Sequence, residues 1–113
     1  MSINIVSVTG RLVSDPEVRT AGDTKVLSIR IAVDNQRKDK NGEYVNDPLF
    51  IDADYFTKGA DKLAGYLHKG SQVGVSGSLR QDSWMNDKGE KRSKVLIRAN
   101  NFEFLDPKDS DQQ

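Results

Sequence analysis

Three aromatic side chains, Phe50, Phe56 and Trp84, occupy strand positions that a β-pleat turns away from the core, with charged rather than apolar neighbours. A flat ring held open to solvent beside cations can stack on a nucleic-acid base, which contributes about 1–3 kcal/mol per base. In Leu49-Phe50-Ile51-Asp52-Ala53-Asp54-Tyr55-Phe56, a period of two sends Ile51, Ala53 and Tyr55 to one face and Phe50, Asp52, Asp54 and Phe56 to the other. From Val73 onward the same alternation turns Val73, Val75, Gly77 and Leu79 inward, and Arg80 and Trp84 outward. Two polar loops gather cations that could meet phosphate: Arg37, Lys38 and Lys40 in one, and Lys88, Lys91 and Arg92 in the other. Asp39, Glu43, Asp87 and Glu90 lie among them. Outward rings on a small β domain also serve as helix cover or subunit contact, so the alternation by itself leaves both readings open.

Residues for other chemistry are scarce. His68 is the single histidine, late in an expected helix, and no serine or lysine stands in a nucleophile motif with a base. Asp52 and Asp54 lack a third ligand, so neither a metal nor a cofactor is expected and the chain reads as a non-enzyme. The absence of cysteine removes disulfides and thiolate sites and fits a reducing compartment. At 113 residues and 35% hydrophobic content the chain suits one compact domain. No apolar run approaches the roughly 18 residues of a membrane span, and the opening residues lack a leader pattern, so a soluble, cytoplasmic protein is expected. Net charge is formally zero. Setting aside residues 106–113, with three acids and one base, leaves only a small positive excess. Affinity for a polyanion would therefore rest on local clusters and stacking.

Five strands must position these residues, at about 3–13, 25–34, 49–56, 72–84 and 92–105. A short helix is expected over 58–69, from the recurrence of Ala60, Leu63, Ala64 and Leu67, with Gly70 as its left-handed stop. Gly10 interrupts the first strand as a bend or bulge would. The second strand alternates most cleanly, with Leu27, Ile29, Ile31 and Val33 inward. Residues 14–23 read as a turn-forming connection, and residues 35–48 as a long loop or hairpin tip built around Asn41-Gly42. Three strands, a helix and two strands fit an all-β domain with one short helix, a five-stranded Greek-key barrel of the oligonucleotide/oligosaccharide-binding (OB) type. The domain would span residues 1–105, followed by a short disordered polar tail at 106–113.

Three stretches also carry a family likeness: Gly10-Arg11-Leu12 with Asp15-Pro16-Glu17-Val18-Arg19, then Tyr66-Leu67-His68-Lys69-Gly70-Ser71-Gln72-Val73, and Gly77-Ser78-Leu79-Arg80 followed by Trp84. In order and spacing these resemble the bacterial-type single-stranded DNA-binding proteins over about residues 3–105. The resemblance implies an OB fold, sequence-tolerant binding of single-stranded DNA in replication, recombination and repair, and a homotetramer in preference to a dimer. It places the stacking aromatics at Phe50, Phe56 and Trp84, and basic backbone contacts at Lys58, Lys69 and Arg80. Several positions depart from the pattern. Gln36 or Arg37 stands where relatives offer another aromatic, Asp52 lies on the expected ligand face, and Ile5 replaces a basic residue. The chain stops at Gln112-Gln113 without a hydrophobic tip, so tail-mediated recruitment of replication proteins is not expected, and a short phage- or plasmid-type member is. The alternative reading is an OB-fold protein-interaction module that binds DNA weakly or not at all.

Overall fold

The computed structural model describes residues 2–105, so the expected tail lies outside the described residues. Eight strands and one helix follow in order: β1 (Val6–Leu12), β2 (Glu17–Ala21), β3 (Thr24–Val33), β4 (Gln36–Lys38), β5 (Tyr44–Asn46), β6 (Leu49–Phe56), α1 (Ala60–Gly65), β7 (Gln72–Met85) and β8 (Lys91–Phe104). The five expected strands are β1, β3, β6, β7 and β8. The additions are β2, cut from the presumed turn-forming connection, and β4 with β5, which form a separate two-stranded hairpin.

The main sheet runs β1-β7-β8-β6-β3-β2, and β1 also pairs with β3. All its pairings are antiparallel except β6 with β8. Gly10 is paired with β7 and immediately precedes Arg11 and Leu12, where β1 also pairs with β3. A Cβ there would sit 2.4 Å from the Ala32 carbonyl oxygen, so only a bare backbone lets the two strands approach this closely. A bulge at Asn100, skipped between Ser76↔Asn101 and Gly77↔Ala99, bends β8 against β7, and a Cβ at Gly77 would meet the Arg98 carbonyl oxygen at 2.0 Å.

The alternating side chains meet in one apolar core. Leu27, Ile31, Val73, Val75 and Ile97 are almost wholly buried in it, joined by Leu12, Ile29, Ala53 and Ala99. Burial of each larger aliphatic contributes roughly 1.5–3 kcal/mol. Helix α1 is shorter than the spacing predicts. It ends at Gly65, while Leu67 reaches the core from the following turn and Gly70, at φ +95°, lies beyond it. Ala60 and Leu67 bury against the sheet, and an ion pair from Lys25 to Asp61 ties α1 to β3. Leu79, expected inward, is 42% exposed because β1 ends its pairing with β7 at Val6↔Gly77 and no third strand covers the rest. Past Asp52↔Leu96, the last β6–β8 pair at this end, β7 and β8 continue alone as an arm, from Gln81↔Val95 to Met85↔Lys91. Among the described residues no helix is long and apolar enough to cross a membrane.

Candidate nucleic-acid interface

The outward rows of β3, β6, β8 and β7 build one face. The strand register aligns Arg30 with Asp52, Asp52 with Leu96 and Leu96 with Arg80, a row across four strands. A second row aligns Ser28, Asp54, Arg98 and Ser78. Phe50 and Phe56 project from the two ends of β6 on this face, as their parity requires. Phe50 is 50% exposed with the Arg30 guanidinium 5.8 Å from its ring centroid, and Phe56 is half-buried under Arg98 at 3.8 Å. Each ring thus carries a cation, a geometry attractive through the ring quadrupole. Trp84 stands on the β7–β8 arm, 46% exposed and directly opposite Arg92.

Carboxylates compensate the cations between the rings. Asp52 accepts from Arg30 at 3.0 Å and from Lys94 at 3.1 Å. Asp54 accepts from Ser28 at 2.9 Å and from Arg19 at 3.2 Å. The Asp52 carboxyl is held below its ordinary value. Burial, the largest single influence, pushes it up, and the hydrogen bonds and charges of Lys94 and Arg30 together outweigh it. These groups line a groove of about 310 Å³ that also takes in Asp15, Glu17 and Asp82. Its five carboxylates against Arg19, Arg30 and Lys94 make it acid-rich, and two of them, Asp52 and Asp54, are the acids that alternation places on this face.

The expected cations are spread around this groove. Lys69 lies at one end, its backbone N–H donating to Asp15 at 2.8 Å. Lys58 follows β6 on the way to α1, exposed and outside both rows. Arg80 belongs to the first row, and among the described residues neither it, Lys58 nor Lys69 forms an ion pair. Arg37 is engaged by Asp47 at 3.3 Å, whereas Lys38 sits 5.4 Å from the ring centroid of Tyr44 across the β4–β5 hairpin. Arg19, Lys94, Arg98 and Tyr44 escaped sequence reasoning. For Lys94 the available signal was outward parity on the last strand, which does not reveal that strand's neighbour.

Two arms flank the face, and their tips share one design. Asp39 Oδ1 accepts from the N–H groups of Asn41 and Glu43, and Asn86 Oδ1 accepts from those of Lys88 and Glu90. Asp39 and Glu43 close the first tip through the main chain, as Asn86 and Glu90 close the second. Gly42 and Gly89 supply the left-handed residue, at φ +79° and +76°. The first tip is therefore a three-residue loop rather than a two-residue Asn-Gly turn. No cluster of three potential metal ligands occurs among the described residues.

Comparison with known proteins supplies the family. The Single-strand binding protein family matches residues 3–105. A "Single-stranded DNA-binding protein" of Borreliella burgdorferi is 43% identical over 105 residues, covering 91% of this chain and 70% of the relative. "Single-stranded DNA-binding protein 1" of Synechocystis sp. is 35% identical, covering 96% and 88% respectively. The solved "Plasmodium falciparum SSB complex with ssDNA" superposes with a TM-score of 0.82 over 94% of this chain and 97% of that one; at 23% identity it speaks for the fold. A deletion mutant of the single-stranded DNA binding protein from Thermus aquaticus gives 0.79 at 28% identity, over 95% of this chain and 52% of that one. An all-β domain with one short helix, matched along nearly its whole length by these relatives, belongs to the single-strand binding protein family.

Proposed function

We propose that this protein binds single-stranded DNA without sequence preference, coating and protecting it during replication, recombination and repair. Bases stack on Phe50, Phe56 and Trp84, and Lys38, Lys58, Lys69 and Arg80 meet phosphates. The observation that carries the reading is the set of outward rings on one face and its arm, with cations over two of them, Arg30 at Phe50 and Arg98 at Phe56, and Trp84 exposed on the β7–β8 arm. Such surfaces accept any base, because every base has a π-face, and they disfavour duplex DNA, whose bases already stack on one another. The names of the relatives point the same way. Arg37, held by Asp47, contacts phosphate only after that ion pair opens.

We take residues 1–105 as the binding domain and its architecture as a five-stranded OB-type Greek-key barrel. The support is that β1, β7, β8, β6 and β3 each have a neighbour on both sides, with β1 paired to β3. A homotetramer fits the exposure of Ile3 and Ile5, at 88% and 79%, and the edge of β1, which pairs with β3 only at Arg11 and Leu12.

A titration of Trp84 fluorescence tests the function, since Trp84 is the single tryptophan. Quenching by oligo-dT but not by duplex DNA is expected, and Trp84→Ala, followed by anisotropy of a labelled oligonucleotide, should lose about 1–3 kcal/mol of affinity with the fold intact. No quenching, together with no binding by anisotropy, would sink the proposal and favour the acid-rich groove as part of a protein-docking module.

A further inference from the structure

We propose that Tyr44 is a fourth base-stacking residue, presented by the β4–β5 arm with Lys38 beside it for the adjoining phosphate; this rests on the single-stranded DNA reading above. Tyr44 is 67% exposed, and its only ring contact among the described residues is Lys38, whose Nζ stands 5.4 Å from the centroid. The two residues are directly opposed in the hairpin register, next to the tip. A ring with a cation near it and its surface open repeats the chemistry of Phe50 under Arg30.

Position and rigidity support the same assignment. The arm leaves the sheet between β3 and β6, at the end where Phe50 pairs with Ala32, so a strand running past Phe50 meets it next. An Asp47 N–H to Asn35 carbonyl bond of 2.8 Å extends the hairpin ladder toward the sheet, and Asp39 closes the tip, so the ring is presented on ordered backbone. Ordering before binding reduces the entropy lost on association.

The test compares the unsubstituted protein with Tyr44→Ala and Tyr44→Phe, using Trp84 quenching by oligo-dT long enough to cover both arms. Irradiation of a 5-iodouracil oligonucleotide, with mass-spectrometric mapping of the adduct, provides the second readout. Tyr44→Ala should weaken binding roughly five- to a hundredfold with unchanged thermal unfolding, while Tyr44→Phe keeps the ring and the affinity. Cross-links should map to Tyr44 in the unsubstituted protein. Unaltered affinity in Tyr44→Ala, an equal loss in Tyr44→Phe, or a loss without any Tyr44 cross-link would each overturn stacking at Tyr44 while Trp84 quenching left the DNA-binding reading standing. Failure of the unsubstituted protein to bind would overturn both.

Discussion

Asp52 is the residue on which the face is balanced. Its two oxygens hold Arg30 and Lys94, and Arg30 in turn reaches over Phe50, so one carboxylate organises cations from two strands beside an exposed ring. Because its folded-state pKa is lowered, the stability it contributes is present above the unfolded value and is lost as pH falls through the folded one. Urea midpoints should therefore drop as pH falls below the ordinary 3.8, and Asp52→Asn should flatten that part of the profile; an identical acid limb in the variant would remove Asp52 from it. At this scale the sequence was partly legible. Outward parity identified Phe50, Asp52 and Phe56. Lys94 and Arg98 were not legible, because their partners lie more than forty residues away across a parallel pairing whose register the local pattern does not encode.

At the scale of elements, the arms depend on a single side chain at each tip. Asn86 accepts two backbone N–H groups through Oδ1, and Asp39 does the same in the other arm. Asn86→Ala should loosen the β7–β8 tip by about 0.5–1.5 kcal/mol per lost bond, whereas Asn86→Asp should keep the two backbone bonds, as Asp39 shows, and lose only the Nδ2 donation to Glu90. Amide exchange at Lys88 and Glu90 measures this directly, and equal protection in Asn86→Ala would refute the capping role. The twin tips were half visible beforehand: both loops held Gly among polar residues, but Tyr44 was hidden as one aromatic in a polar segment. Strand β2 was missed because Glu17-Val18-Arg19-Thr20-Ala21 offers the core essentially one large apolar side chain, Val18 against Leu27. The helix was drawn too long because Leu67 keeps helical spacing while its backbone has already left the helix.

Across the whole molecule, charge is matched locally as well as in total. Many of the cations facing the groove or the arms already have carboxylate partners, among them Arg19, Arg30, Arg37, Arg92 and Lys94. If Lys38, Lys58, Lys69 and Arg80 supply four phosphate contacts, log K should fall against log salt with a slope of about −3, at roughly −0.7 per contact on a single strand. Titrations across a salt series check this, and a slope two or three times steeper would mean that the paired cations also release their partners to bind DNA. The acid-rich groove has a further consequence, for rates. A surface with little net positive field cannot pull a polyanion toward it from a distance, so association should proceed near the unsteered range, on the order of 10⁵–10⁷ M⁻¹s⁻¹. How long a strand stays coated would then be set by dwell time on the rings, and the protein could be displaced by anything that peels bases off them one at a time.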